Sequence, residues 1–420
     1  MDSVQKNFLN AIRQFIKPEI KAKLNMDTPE QLYSLMEMAQ KQHVLPMVYD
    51  VVAQYDCGGD CVNIKNMYKK RAILEMISQI QRTKMFFETY NIMLERGIKP
   101  IVVKGVVLRS MYDKPDFRCS NDEDILVDKK DFFKCDSILI EQGFEREVEE
   151  SDLKSRELPY EIAYFNRKTK VRIEIHTKLL PDNSNAFKEL NRNFKNVFNR
   201  AKMIDVGVGS VWTLSDTDHF LFLLSHSYKH FIYCGFGIRQ LCDLLMMAEK
   251  CRNTIEWKYI ERVARENRIY KFFINLLDIG EKYLGFDSCS IPFNLRFYVE
   301  PDSGNLLEDM LEAGVFGKSS IGRIHSANIT MSAADRSFVE NDRPKTVRLS
   351  IASSLFPPKL YMERNYSYLK KKGYLLPIAY FQRIRTYLKE RKVQSRYSME
   401  INSIAIGKKR IALMRQYGVI

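Results

Sequence analysis

The chain has 420 residues, 45% of them hydrophobic, enough apolar side chain to bury the cores of roughly two to four domains. It holds no apolar run of 18 residues, the length of a membrane span, and its N-terminus, MDSVQKNFLNAIRQFIKPEI, lacks the apolar stretch and small-residue cleavage site of an export signal, so a cytoplasmic protein is expected. The net charge of +14 is lodged at one end: residues 341–420 hold 18 Lys/Arg and 4 Asp/Glu, and taking these from totals of 66 and 52 leaves 48 of each in the rest.

Residues 1–95 carry apolar side chains at three- and four-residue intervals, which predicts an N-terminal helical region closed by a cap at Gly97. His43 reads as a packed or capping histidine. Cys57 and Cys61 form a lone C-x₃-C without a second pair. Free thiols in a glycine-containing loop account for it more simply than zinc, and the missing export signal argues against disulfides among the eight cysteines.

The pattern changes at Lys99. KPIVVKG reads as a strand ending at Gly105, VVLRSMYDK as a short helix stopped by Pro115, EDILVD as a second strand, and KKDFFKCDSILIEQG as a helix capped by Gly143. ELPYEIAYFNRKTKVRIEIHTKL reads as a hairpin turning near Asn166. Residues 96–205 are thus expected to form a small mixed-sheet α/β core. Helical periodicity resumes over 206–300, opened by Ser215 and Asp218 in capping-box spacing. Residues 301–340 read as a loop-rich connection, and 341–420 as a basic, aromatic-rich segment. The predicted fold class is α/β (α+β), with a small mixed-sheet core flanked by N- and C-terminal helical regions.

The chemistry concentrates in residues 104–128. Side chains alternate faces along a strand, so Asp122 and Asp124 share one face at the start of EDILV while Ile125 and Val127 share the other. Two carboxylates so placed repel unless a cation lies between them, and Mg²⁺ (or Mn²⁺) suits hard oxygens while keeping positions open for phosphate. In VRIEIHTKL, Val171, Ile173 and Ile175 take one face and Arg172, Glu174 and His176 the other, so an adjoining strand would bring Glu174 to the pair as a third ligand. Lys104 and Gly105 close the first strand, where a following helix is expected to aim its N–H groups at an anion. Arg118 and Ser120 are further candidates to hold a triphosphate. His176 reads either as a phosphate donor or as a sheet cap.

On these residues the chain resembles the polymerase-β-like nucleotidyltransferase superfamily. More closely, it is similar to a family of bacterial uncharacterised nucleotidyltransferases with the pattern L-K-G, Y, R-x-x-x-D-x-D-x-L-V and D/E-x-H-W. Here the pattern reads V-K-G at 103–105, Tyr112, R-C-S-N-D-E-D-I-L-V at 118–127 and E-I-H-T at 174–177, with Glu123, Glu174 and Thr177 departing from the usual residues. Later H-x-x-x-H and R-x-x-x-D pieces match His226, His230, Arg239 and Asp243, and the likeness covers roughly residues 30–300. The resemblance implies transfer of a nucleoside monophosphate from an NTP to a hydroxyl acceptor. Arg239 and Asp243 read as groups orienting the helical region over the nucleotide or as an ordinary intrahelical pair. His226, His230 and Asp243 also have the composition of a zinc site.

Alternating Lys/Arg and Tyr/Phe in 341–420 suit an anionic partner, either nucleic acid or lipid, or a helical appendage packed by its aromatics. The alternative to an enzyme is an inactive module of the same fold that binds such a partner through this segment.

Overall fold

Local signals set the helix ends. Asp2 opens α1 (Ser3–Ile16) with a reciprocal cap, its side chain accepting the Gln5 N–H while Gln5 reaches back to the Asp2 N–H. Thr28 and Pro29 open α2 (Pro29–Lys41), and α3 (Leu45–Val52) follows. The 34-residue α4 (Val62–Glu95) stops where Gly97 turns to a φ of +75° and the N–H groups of Gly97 and Ile98 fold back to Leu94 and Met93. The computed structural model describes residues 1–21, 23–26, 28–55, 59–147, 158–182, 185–233, 235–287, 291, 301–314, 327, 330–331, 333–334, 362, 366, 368–391 and 397–420. Cys57 of the C-x₃-C lies outside them.

Strands β1 (Ile101–Val102), β2 (Glu123–Leu126), β3 (Glu145–Arg146), β4 (Glu161–Phe165), β5 (Arg172–His176), β6 (Lys202–Asp205) and β7 (Ser210–Thr213) build one mixed sheet, ordered β3-β4-β5-β2-β1-β7-β6. The one-turn helix α5 (Val106–Arg109) links β1 to the approach to β2, and α6 (Phe132–Glu141) follows β2. β2 runs parallel to β5 and antiparallel to β1. The sheet continues past the boundary expected at residue 205: β7 pairs in parallel with β1, putting Trp212 beside Ile101. These four-residue strands are too short to show a period beside the helices that follow.

Each face of the sheet is buried against a different core. Ile125, Val127, Ile173 and Ile175 pack with Phe86 and Tyr90 of α4 and Phe132 and Leu139 of α6. On the other face Ile101, Val103 and Leu126 join a larger core shared by α1–α3 and the later helices. These are α7 (Asn185–Arg192), α8 (Asp216–Tyr233), α9 (Ile238–Lys250), α10 (Trp257–Glu266) and α11 (Tyr270–Leu284). Ser215 caps α8 as its spacing predicted, accepting the Asp218 N–H. Asp124, Glu174 and His176 lie on strand positions that face this second core, so any site they form sits between the sheet and α8–α9.

Residues 304–313, expected as loop, form α12 (Gly304–Ala313). Most of the described part of the basic segment lies in two helices, α13 (Leu376–Arg391) and α14 (Tyr397–Gln416). α14 is built into the body: Leu413 and Met414, with Tyr417 and Val419, belong to the larger core. Among the described residues no helix is long and apolar enough to cross a membrane.

Candidate active site

The parallel register of β2 and β5 sets Asp124 beside Glu174 and Leu126 beside His176, so both carboxylates and the imidazole project to one face. One ligand atom from each of Asp124, Glu174 and His176 lies within 4.8 Å of the others, the one such cluster of metal-ligating types among the described residues. Asp124 Oδ1 accepts from Lys104 Nζ at 2.8 Å and from His176 Nε2 at 3.0 Å. His176 therefore meets a carboxylate, where the sequence left phosphate binding and sheet capping open; its Nδ1 is buried with no protein partner. Asp122, one residue ahead of β2, lines the same pocket.

The charges do not balance within the cluster. Burial raises Glu174, and the nearby Asp124 and Asp122 push it further, to about 7. Burial works against ionising Asp124 too, yet Lys104 and His176 hold its carboxyl below the usual range. A carboxyl forced upward by two carboxylate neighbours is what a divalent cation would relieve.

The Lys104–Gly105 turn behaves differently from its sequence expectation. The N–H of Val106, the first of α5, is taken by Glu123 Oε2 at 2.8 Å, so the anion at this helix start is an internal carboxylate and no substrate. Gly105 has a φ of +55°, and a Cβ there would sit 1.7 Å from Glu123 Oε2. Arg109 completes the arrangement, donating to Glu123 Oε1 at 2.5 Å, to Ser120 Oγ at 2.5 Å and to Thr83 Oγ1 at 3.2 Å, while Gln79 accepts the Ser120 N–H. Ser120 is thus bound into the floor of the site. Glu123 was marked in the sequence only as a departure from the family pattern, and Arg109 and Gln79 were not singled out. The signal was present: Glu123 occupies the Ile125–Val127 face, and a carboxylate on an apolar face demands a buried partner.

The opposite wall comes from α8 and α9. Arg118 grips Asp243 with two bonds, Nε to Oδ1 at 3.0 Å and Nη2 to Oδ2 at 2.5 Å, and Tyr112 donates to the same carboxylate at 2.9 Å. Arg239, one turn before Asp243 on α9, donates from Nη1 to the Cys119 carbonyl at 2.7 Å. Burial and the nearby Arg118 lower Arg239 to about 10. With Asp243 so engaged, the zinc grouping of His226, His230 and Asp243 is not assembled. Lys104 Nζ donates to His226 Nε2 at 3.2 Å, and His230 Nε2 stands 3.3 Å from the same nitrogen. Burial, then Lys104 and Lys229, hold His226 well below its usual range, so it is neutral and able to accept. His219, on the same helix, is structural: its Nε2 meets the Val103 carbonyl at 2.7 Å.

Lys229 is a pocket cation that sequence reasoning passed over. It lies over the Tyr160 ring at 5.6 Å, and 4.0 Å from Glu161 Oε2. Its position three residues after His226 put it on the histidine face, which was the available clue. Burial lowers its ammonium, with Glu161 opposing.

These walls enclose a cavity of about 500 Å³, and all twelve residues picked from the sequence line it, together with Glu161, Arg172 and Lys229. Acids lie on the sheet side and bases ring them, a distribution suited to a phosphate chain bound with divalent ions. A family model described as an uncharacterised nucleotidyltransferase matches residues 28–285. No curated protein and no solved structure matches the chain.

Proposed function

The chain belongs to the uncharacterised nucleotidyltransferase family, and on that premise we propose that it transfers a nucleoside monophosphate from an NTP to a hydroxyl acceptor, releasing pyrophosphate. The observation that carries this reading is the convergence of Asp124 and Glu174, from parallel neighbouring strands, beside Asp122 in a cavity ringed by Lys and Arg. The order of strand, glycine turn, short helix and D-x-D strand supports a place in the polymerase-β-like superfamily.

The donor set fits a divalent ion. One buried carboxylate, Asp124, with the half-buried Glu174 and Asp122 alongside suits Mg²⁺ or Mn²⁺, and the orphaned Nδ1 of His176 and the raised Glu174 mark a site whose polar groups are incompletely satisfied. Asp122, Asp124 and Glu174 would hold the metal. When bound, it would neutralise the triphosphate and make the acceptor hydroxyl more acidic. His176 orients Asp124 through their hydrogen bond. Lys104 reaches the phosphate chain once released from Asp124, and Lys229 and Arg239 add positive charge along the wall. Arg118 acts at one remove, locking Asp243 and so fixing α9 against the approach to β2. Glu174 takes the acceptor proton as the acceptor oxygen bonds to the α-phosphorus and the bond to the pyrophosphate oxygen breaks.

Incubation of the purified chain with α-labelled NTPs, Mg²⁺ or Mn²⁺ and a lysate of acceptors tests this. Label should pass to an acceptor, and Asp124→Ala should abolish transfer. NTP binding that is unchanged by both Asp122→Ala and Asp124→Ala would count against the site.

A further inference from the structure

The last part of the chain contains a second, smaller body of structure that the catalytic reading does not use. Met362, Leu369 and Ala379 are buried together, with Leu375, Leu376 and Tyr380 packed on them, and among the described residues this cluster is separate from both main cores. It holds the start of α13 against the turn that precedes it. The outer side of the same element is apolar. Tyr374 is 77% exposed, Ile378 50% and Phe381 67%. Positions 374, 378, 381 and 385 fall at helical spacing on one face, so exposed Arg385 continues the ridge at one end while exposed Lys372 stands at the other. Residues 366–391 carry seven Lys/Arg and one Glu.

We propose that the ridge Tyr374–Ile378–Phe381 is a docking surface for an anionic phospholipid bilayer. An exposed apolar ridge flanked by cations matches the interface of such a membrane: rings and an aliphatic side chain enter the headgroup boundary, and the basic residues meet lipid phosphates. Ile378, in the middle of the ridge, has no flat face on which a base could stack, so the surface suits lipid better than single-stranded nucleic acid. The excess of six positive charges over these 26 residues supplies the complementarity, and among the described residues none of those lining the nucleotide cavity belongs to the elements that carry the ridge. Docking here would hold the catalytic cavity near a membrane.

Co-sedimentation of the full chain with vesicles tests the proposal, using neutral phosphatidylcholine and phosphatidylcholine with roughly 30% phosphatidylglycerol. The chain should bind the anionic vesicles at least about tenfold more tightly than the neutral ones, with binding falling as salt rises. The double variant Ile378→Ser, Phe381→Ser should lose about tenfold in that affinity while keeping the wild-type melting temperature and Mn²⁺–NTP affinity. Absence of vesicle binding, equal binding to both vesicles, or a variant that binds as wild type would overturn it. So would a variant that keeps vesicle binding and loses single-stranded RNA binding.

Discussion

Lys104 is the residue on which the state of the site turns. Its ammonium lies 2.8 Å from Asp124 Oδ1 and 3.2 Å from His226 Nε2, so it is a resident cation beside the carboxylates that a metal would use. Burial disfavours its charge, but Asp124, Asp122 and Glu174 together keep it protonated. Lys104→Met should therefore bind Mn²⁺ alone more tightly than wild type, by about tenfold, read from the free-ion spin-resonance signal; weaker or unchanged binding would show that Lys104 does not compete. Gly105 makes a stricter demand. A Cβ placed 1.7 Å from Glu123 Oε2 has to displace a carboxylate held by both Arg109 and the Val106 N–H, at a φ that L side chains rarely adopt. Gly105→Ala should cost about 3 kcal/mol or more in denaturant unfolding. A wild-type unfolding midpoint would contradict this account of the turn.

At the scale of elements, α8 carries His226 and Lys229 into the cavity, and its C-terminal end is fastened by a residue far along the chain. Arg410 of α14 donates from Nη1 to the Tyr233 carbonyl at 2.8 Å and from Nη2 to the Phe231 carbonyl, while Asp309 of α12 lies 3.7 Å from its Nε. A buried cation on the last carbonyls of a helix satisfies groups that have no partner within that helix. Arg410→Met should lower stability by about 2–4 kcal/mol, as expected for losing charged hydrogen bonds in a buried place, and urea unfolding would show it. A variant unfolding at the wild-type midpoint would mean that α8 is held without the clamp. The sequence made some of these elements readable and hid others for a physical reason. The period of two along β2 and β5 placed Asp124 and Glu174 on a common face, because that alternation is a local property. The Arg118–Asp243 and Arg410–Phe231 bonds join residues more than a hundred positions apart, and no local pattern encodes such a meeting. Hairpin β6–β7 was hidden by strands of four residues each.

Across the whole molecule, the basic segment divides into parts with different roles, though composition alone presents it as one. Its end supplies Met414, Tyr417 and Val419 to the larger core, whereas α13 and its turn keep a small core of their own and show an apolar ridge outward. A chain cut after residue 396 should melt well below wild type in calorimetry, because those side chains leave cavities in the core that supports α8 and α11; an unchanged melting temperature would restore the reading of the segment as a separable appendage. The sheet between the two cores explains why the site lies where it does: one face is filled by α4 and α6, and the other opens between β2, β5 and the helices that follow β7. The claim on which the catalytic account depends is that Asp122, Asp124 and Glu174 gather a divalent ion at the phosphates of an NTP. A crystal structure with Mn²⁺ and a non-hydrolysable NTP measures that directly. Anomalous density bonded to the Asp124 and Glu174 carboxylates and to the triphosphate is expected, with Lys104 moved from Asp124 to a phosphate oxygen. Nucleotide bound elsewhere, or in this cavity without metal at those carboxylates, would contradict it.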